Sequence, residues 1–123
     1  MVRFFRCEHC GKIVYLKDKA DIPTICCGEA MKELKANTTD AAMEKHIPVV
    51  TKSNLIVDVK VGSTKHPMTE DHYIEWIYLE TEKGSQIKYL SPSDEPEALF
   101  ALNKDTADSV YAYCNLHGLW VGK

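Results

Sequence analysis

The sequence lacks any long hydrophobic run and any excess of basic residues. No window reaches the ~18 uninterrupted apolar residues that a membrane-spanning helix needs, and the stretch from Met1 to Arg6 is too short and too charged for a signal peptide. Fifteen Lys and Arg residues against 18 Asp and Glu residues give a net charge of -3, and no basic stripe offers a surface to nucleic acid. The sequence therefore predicts a cytoplasmic protein with no membrane partner and no nucleic-acid partner.

Cysteine is scarce and unevenly placed. Of the five cysteines, an odd number, four fall within the first 27 residues. In a chain without an export signal this pattern favours thiolate ligands over a disulfide framework. The knuckle Cys7-Glu8-His9-Cys10-Gly11 lets two sulfurs bind one ion, and the pair Cys26-Cys27 supplies two more. These four thiols predict one tetrathiolate site for iron or zinc.

The second cysteine pair departs from an ordinary zinc ribbon, which uses two C-x-x-C knuckles. Adjacent residues have Cα atoms about 3.8 Å apart, so their sulfurs approach one ion from a constrained direction and should distort the tetrahedron. His9 lies inside the first knuckle, and because four thiolates already fill a tetrahedral ion we expect it to face solvent. About 35 residues cannot bury a sufficient core unaided, so the metal is expected to staple this segment.

Short strands surround the cysteines. Residues 3–6 and 13–16 have the composition of strands, and residues 22–25 would return the chain to the second cysteine pair after a polar turn at 17–21. A polar stretch without periodicity, residues 35–40, then predicts a domain boundary. The expected domains are 1–36 and 37–123.

After the boundary the pattern becomes that of a β protein. Apolar side chains alternate with polar ones over 55–61 and again over 72–80, and turns recur about every 8 to 12 residues. Thr39 or Asp40 could cap a helical turn that Pro48 would end. The expected fold class is all-β, with the small metal-stapled domain followed by an antiparallel sandwich of immunoglobulin type.

A second group of candidate ligands is scattered through the β domain. Near the C-terminus a thiol and an imidazole are separated by two residues, and three further histidines stand in loops or at predicted strand ends. The candidates are His46, His66, His72, Cys114 and His117. A lone histidine in a β protein is usually structural, but strand ends of a sandwich can meet, so we expect a common metal site.

Blue copper is the competing interpretation of this second group. Greek-key sandwiches can hold copper with a C-x-x-H motif and an axial methionine further on. No methionine follows Cys114, however, and the two additional histidines exceed what the trigonal copper site needs.

The motifs of both groups occur together in one known family. They are Cys7-x-x-Cys10, Cys26-Cys27, Glu44-Lys45-His46-x-Pro48, His66-Pro67-Met68, His72-Tyr73-Ile74-x-Trp76 and Cys114-Asn115-x-His117-Gly118. On these residues the chain resembles the desulfoferrodoxins, the two-iron class of superoxide reductases, from Cys7 to Trp120. All nine ligand positions of that family are matched.

The resemblance implies a fold, two cofactors and an activity. A desulforedoxin-like domain would hold a tetrathiolate iron, and an immunoglobulin-like domain would hold a catalytic iron, in a homodimer. Four imidazoles would lie in a plane around the catalytic iron, with the Cys114 thiolate axial and the sixth position facing solvent. The implied reaction is the one-electron reduction of superoxide to hydrogen peroxide without oxygen release, in detoxification of superoxide. A small electron carrier such as rubredoxin would restore the ferrous state.

The resemblance also gives roles to two charged residues. Glu44 is expected to occupy the sixth position when the iron is ferric, and Lys45 to attract the anion and help to supply protons through water. Taken alone, the two would be an exposed charged pair, and the alternative function is a non-enzymatic electron carrier or iron module.

Asn115 and several aromatic residues leave two interpretations open. Asn115 is either a turn residue or the donor of a backbone N–H bond to the sulfur of Cys114. The aromatic residues are expected to be core residues rather than redox relays. They are Tyr73, Trp76, Tyr113 and Trp120.

Overall fold

Strands make up nearly all of the regular structure in residues 1–17 and 20–123, the part of the chain that the computed structural model describes. The prediction of an all-β fold class is confirmed. By its contacts the chain divides into two units, Met1–Lys35 and Ala36–Lys123. Among the described residues, no helix is long and apolar enough to cross a membrane. The assignment of one iron to each predicted domain stays a prediction.

The described residues of the first unit, 1–17 and 20–35, form five short strands. They are β1 (Arg3–Arg6), β2 (Ile13–Leu16), β3 (Ile25–Cys26), β4 (Glu29–Ala30) and β5 (Lys32–Glu33). β2, β1 and β5 form one antiparallel sheet, and β3 pairs with β4 in a hairpin. The strands predicted at 3–6 and 13–16 are confirmed, whereas the return predicted at 22–25 is a strand only at its last residue. The turn predicted at 17–21 includes residues 18 and 19, which lie outside the described residues.

The second unit contains one helical turn and seven strands. They are α1 (Met43–His46), β6 (Pro48–Lys52), β7 (Ile56–Val61), β8 (Ile74–Thr81), β9 (Ser85–Tyr89), β10 (Glu97–Ala101), β11 (Ala107–Cys114) and β12 (Gly118–Gly122). β10, β7 and β6 form a three-stranded antiparallel sheet, and β12, β11, β8 and β9 form a four-stranded one. Two antiparallel sheets with this strand count are typical of an immunoglobulin-like sandwich.

The hydrophobic core of the second unit lies between its two sheets. Val57, Val59 and Phe100 contribute from the three-stranded sheet, and Ile77 and Val110 from the four-stranded sheet; all five side chains are fully buried. Burying a side chain of this size contributes roughly 1.5–3 kcal/mol. The packed core therefore holds the strand ends, and the loops that join them, in a fixed arrangement.

The beginning of the second unit differs from its prediction. α1 starts after Ala42, whose side chain makes no capping hydrogen bond, so the predicted caps Thr39 and Asp40 are wrong. The helix ends before Ile47, which is extended at ψ 121°, because a residue that precedes proline is biased away from the helical region. β6 begins at that proline, Pro48, and is not among the strands predicted from the sequence. As an edge strand it is mostly exposed, so it carries no clear alternation of buried and polar side chains.

Candidate metal centres

The first centre is formed by the four cysteines of the first unit. Their sulfurs all lie within 4.8 Å of one another. Cys10 Sγ lies 3.6 Å from Cys26 Sγ, which lies 4.0 Å from Cys27 Sγ. A tetrahedral ion with metal–sulfur bonds of about 2.3 Å has sulfur–sulfur edges of about 3.8 Å. The spacing of the sulfurs therefore fits a single tetrathiolate ion.

The knuckle that carries the first two sulfurs is held by its own backbone. The N–H of Cys10 donates to Cys7 Sγ at 3.4 Å, and the N–H of Gly11 donates to the Cys7 carbonyl at 2.9 Å. Gly11 has a φ of 79°, which a residue with a side chain rarely adopts. The backbone N–H of Cys10 is the largest of the effects that lower the pKa of Cys7 to about 6. Cys7 is therefore prepared to bind as a thiolate.

The adjacent cysteines reach the same ion because they occupy a tight hairpin turn. Cys26 pairs with Glu29, so Cys27 and Gly28 are the only two residues in the loop between β3 and β4. Their φ angles are 53° and 80°, and a two-residue hairpin loop of type I′ requires two positive values. The turn places Cys26 at the strand end and Cys27 at the tip, which brings both sulfurs to the ion.

The thiols of Cys26 and Cys27 do not ionise readily by themselves. Hydrogen bonds that the Cys26 thiol donates to Cys7 and Cys10 are the main cause that raises the pKa of Cys26 to about 12, and equivalent bonds donated by Cys27 raise the pKa of Cys27. Four thiolates this close together need a cation to balance their charge, and bound metal deprotonates a thiol. The donor set therefore fits a metal ion. His9 is not part of this donor set. Its half-exposed side chain instead pairs with Glu29, with His9 Nε2 3.1 Å from the carboxylate, which agrees with the prediction that His9 faces solvent.

The second centre is a closed ring of four imidazoles. Ring centroids of His46 and His66, and of His66 and His72, lie 4.7 Å apart, and the two remaining sides, through His117, measure 5.0 and 4.9 Å. Neighbouring rings meet at 77° to 89°. His46 Nε2 lies 3.1 Å from His117 Nδ1 and 3.3 Å from His66 Nε2. Two nitrogens bound at right angles to one ion, at about 2.1 Å each, would be about 3.0 Å apart.

Two of these rings are fixed by backbone carbonyls. His46 Nδ1 lies 2.7 Å from the Ala42 oxygen, and His66 Nδ1 lies 2.7 Å from the Pro67 oxygen. A carbonyl can only accept, so each Nδ1 carries the proton and each Nε2 presents a lone pair. Burial is the main cause that lowers the pKa of His46 and that lowers the pKa of His66 to about 4. Both imidazoles are therefore neutral near pH 7, the form that binds metal.

His72 supplies the clearest sign that the second centre is built for an ion. Its Nε2 is buried and has no hydrogen-bond partner among the described residues, a costly state for a polar nitrogen. The ligand atoms of His46, His72, Cys114 and His117 all lie within 4.8 Å of one another, and His66 adjoins them through His46. A metal ion would give His72 Nε2 the partner that it lacks, so the donor set fits one ion.

Cys114 is the fifth donor and is completely buried. Its Sγ lies 3.8 Å from His117 Nδ1. Burial raises the pKa of this thiol, and the backbone N–H groups of Leu116 and His117 partly counteract the shift. The N–H of Asn115 instead donates to the Tyr73 carbonyl at 3.2 Å. The suggested bond from Asn115 to the sulfur is therefore wrong, and the two following residues supply that contact.

Strand register explains why ligands distant in sequence meet. Cys114 ends β11, where it pairs with Ile74 of β8 on one side and Gly118 of β12 on the other. His72 lies two residues before Ile74, and His117 directly precedes Gly118, so both flank the thiol. Pairing within the four-stranded sheet thus brings three of the five donors together.

The helical turn α1 brings a third histidine, His46, from outside that sheet. It packs so closely on Gly62 that a Cβ at this position would stand 2.6 Å from the Glu44 carbonyl oxygen. That oxygen accepts hydrogen bonds from the Thr64 N–H at 2.8 Å and the Ser63 hydroxyl at 3.3 Å. The turn that follows β7 therefore fixes α1, with His46 at its last position, beside the loop that carries His66.

Glu44 and Lys45 lie on the exposed side of the same helical turn, directly before the buried His46. Burial is the main cause of the lowered pKa of His46 and His72, and the Lys45 ammonium lowers both further. The positive charge of Lys45 therefore acts on two of the four imidazoles. Both predicted charged residues stand beside the second centre.

The aromatic residues are mostly buried, as predicted. Trp76, Tyr113 and Trp120 have exposed fractions of 6%, 6% and 1%, whereas Tyr73 is partly exposed. Trp120 also has a contact that the sequence analysis missed: it stacks on His46, with ring centroids 4.8 Å apart, and its Nε1–H donates to the His117 carbonyl at 3.1 Å. The sequence signal for this contact is that Trp120 lies three residues after the candidate ligand His117.

Comparison with known proteins links this arrangement to one family. Residues 38–123 match the desulfoferrodoxin family. The chain is 48% identical over 118 residues to a desulfoferrodoxin from Nitratidesulfovibrio vulgaris, covering 94% of this chain and 91% of that protein. Its structure is similar to the superoxide reductase from Treponema pallidum, with a TM-score of 0.85, 42% identity and coverage of 100% and 99%. The superoxide reductase from Giardia intestinalis matches 64% of this chain and 95% of its own, with a TM-score of 0.56 and 35% identity.

Proposed function

Because the chain belongs to the desulfoferrodoxin family, we propose that its second centre reduces superoxide. The protein is an oxidoreductase with two iron ions per chain as cofactors. We assign the first iron to Cys7, Cys10, Cys26 and Cys27, and the catalytic iron to His46, His66, His72, Cys114 and His117. The observation that carries the proposal is the ring of four imidazoles beside one buried thiol, with a lysine ammonium acting on the ring.

The proposed reaction consumes one superoxide, one electron and two protons and yields one hydrogen peroxide, without oxygen release. Ferrous iron, when bound, would supply the electron, and with one thiolate it would leave a local charge of +1 that attracts an anion in an acidic protein. The neutral imidazoles of His46 and His66 add no charge, and their Nδ1 bonds to carbonyls keep the lone pairs of Nε2 directed inward. The Cys114 thiolate is a strong electron donor to the site.

The exposed charged pair has two complementary roles in this proposal. The strongly hydrated ammonium of Lys45 attracts superoxide and relays protons from Nζ through water. The Glu44 carboxylate would bind the iron when that ion is ferric. Both roles are supported by their position on the turn that carries His46.

The remaining parts of the proposal concern the setting of the enzyme. A small electron carrier such as rubredoxin would reduce the oxidised centre, and the enzyme would act as a cytoplasmic homodimer. We propose domains 1–36 and 37–123, one for each iron. Support for these points comes from the family resemblance and, for the domains, from the two units of the structure.

The experiment that tests the function is rapid mixing of the reduced protein with superoxide. We expect one iron to be oxidised and one peroxide formed for each superoxide consumed, with no oxygen. Oxygen evolution at the stoichiometry of a dismutase would contradict the proposal. Slow oxidation that ignores added anions would favour the electron-carrier alternative.

Replacing Lys45 with isoleucine should slow the reaction with superoxide about tenfold, because a charge at the entrance steers an anionic substrate. Its dependence on ionic strength should also flatten, since an exposed charge acts over a screening length of about 8 Å at physiological salt. Stopped-flow rates across a salt series measure both effects. Lys83→Ile is the matched control, because this exposed lysine lies far from the second centre. It follows the far end of β8, a strand of about 25 Å that starts two residues after His72. Equal rates and salt slopes in the two variants would remove Lys45 from the mechanism.

Replacing Glu44 with alanine should leave the reduction rate nearly unchanged and open the ferric site to external anions. Without a competing carboxylate, azide and cyanide should bind about tenfold more tightly, a gain of roughly 1.4 kcal/mol. Optical titration of the oxidised protein measures this affinity. Glu70→Ala, an exposed acidic residue in the loop between His66 and His72, is the control for a simple loss of negative charge. If both variants bind azide equally, Glu44 does not occupy the sixth position.

A further inference from the structure

The four histidines of the second centre are not held in the same way. A backbone carbonyl 2.7 Å from Nδ1 orients the ring of His46, and another orients the ring of His66. For His72 the structure gives no such acceptor within residues 1–17 and 20–123, and its Nε2 makes no hydrogen bond there. The orientation of this ring therefore depends on packing against the neighbouring imidazoles and on the backbone to which it is attached.

That backbone is clamped on both sides of His72 by one side chain. Asn115 Oδ1 accepts a hydrogen bond from the Tyr73 N–H at 2.9 Å, and Asn115 Nδ2 donates to the Asp71 carbonyl at 3.0 Å. The N–H of Asn115 adds a third bond, to the Tyr73 carbonyl at 3.2 Å. The amide thus grips the residue before His72 and the residue after it.

The clamp also has a defined position relative to the thiol. Asn115 directly follows Cys114 and lies two residues before His117. The side chain of Asn115 therefore links the turn at 115–117, which follows the sulfur of Cys114, to the backbone on both sides of His72. On its other side, the backbone of His72 is bonded to Thr69, through two backbone hydrogen bonds of 3.0 and 3.2 Å.

We propose that Asn115 is a positioning residue of the catalytic centre: its side-chain amide fixes the direction of the His72 imidazole relative to the Cys114 sulfur. This inference rests on the proposed function, because it assumes that both side chains bind the same iron. It gives Asn115 a role outside the chemistry, since the side chain is hydrogen-bonded to backbone and holds two ligands in register. Outer contacts of this kind typically change metal affinity by about 10- to 100-fold.

The alternative is that Asn115 only closes a turn, and a remote clamp of the same kind distinguishes the two. Asp105 Oδ1 accepts from the Lys83 N–H at 3.1 Å and the Thr106 N–H at 2.8 Å, so it also joins two loops through a side chain. It does so beyond the far end of β8 and flanks no candidate ligand. Asp105→Ala therefore removes a comparable number of side-chain hydrogen bonds without touching the centre.

The test compares the full-length iron-loaded protein with its Asn115→Ala and Asp105→Ala variants. We expect Asn115→Ala to lose iron from the second centre to a chelator at least about tenfold faster than the parent. The visible thiolate-to-iron absorption band of the ferric form should also shift in Asn115→Ala alone. Similar iron loss and an unshifted band in both variants would overturn the inference.

Asn115→Asp keeps the test decisive if the alanine variant does not fold. Aspartate retains the acceptor for the Tyr73 N–H and loses the donor to the Asp71 carbonyl, so we expect faster iron loss than in the parent. Parental iron retention in Asn115→Asp, if alanine is not folded, would overturn the inference. None of these measurements uses superoxide, so absence of iron from the parent's second centre would instead count against the proposed function.

Discussion

Replacement of Cys114 with serine is expected to lower the rate of superoxide reduction by at least about 100-fold. Cys114 is fully buried, and burial already raises the pKa of its thiol. A serine hydroxyl at this position would be far harder to ionise, so the centre would lose the anionic thiolate and the electron density that its sulfur donates. Stopped-flow measurement of superoxide consumption gives the rate, and the visible spectrum of the ferric protein gives the thiolate band, which should disappear.

The serine substitution nearly preserves the volume of the side chain, so a loss of activity reports on chemistry and not on packing. The iron content of each centre and the far-ultraviolet circular dichroism of the variant should be measured first, to show that the sandwich is folded. A folded variant that retains both the parental rate and the parental absorption band would exclude Cys114 as the axial ligand.

Replacement of Cys26 with serine is expected to disrupt the first unit and to spare the activity of the second. The first unit should lose its iron and its folded structure, whereas the second unit should continue to form peroxide. Few apolar side chains of the first unit are buried, among them Val2, Phe4 and Met31, and in small domains a structural metal contributes about 10–16 kcal/mol of apparent folding free energy. Loss of one of four sulfurs would therefore remove most of the stability of this unit.

Two-dimensional amide NMR spectra distinguish the units in this variant. Signals from the first unit should collapse to the narrow range of an unfolded chain, while those of the second unit stay dispersed, and iron should fall from two ions per chain to one. Cys114→Ser is the reciprocal control, because it should retain the first iron. Complete loss of peroxide formation in Cys26→Ser would show that the first iron is required for catalysis.

Local chemistry made the first centre predictable from the sequence. Four thiols concentrated in 27 residues have few other uses in a chain of this kind. What the sequence did not reveal is how Cys26 and Cys27 share one ion. The answer is a two-residue turn with positive φ at Cys27 and Gly28, a conformation that leaves no periodic pattern in the sequence and for which only the glycine gave a hint.

The second centre depended on information beyond local patterns. Alternation predicted the strand at 55–61 because one of its faces is buried, but spacing alone could not show that His46 and His66 face the same ion as Cys114. Their meeting depends on strand register and on the close packing of α1 on Gly62, which are tertiary properties. The family resemblance supplied that information before the structure did.

Details of hydrogen bonding were the least predictable part. The sequence leaves open whether Asn115 is a turn residue or donates a hydrogen bond to the Cys114 sulfur. In the structure its side chain forms hydrogen bonds to the residues on both sides of His72. Asparagine has several donors and acceptors of nearly equal strength, so its partners are decided by which backbone lies within reach.

The central claim is that five side chains from separate parts of the chain bind one iron. Crystallographic data collected on both sides of the iron absorption edge test it most directly, because only iron gives an anomalous peak that disappears below the edge. The account predicts two peaks per chain: one among the four cysteine sulfurs, and one in contact with His46, His66, His72, His117 and the sulfur of Cys114. The absence of a peak between the four imidazoles, or a Cys114 sulfur directed away from that peak, would contradict the account.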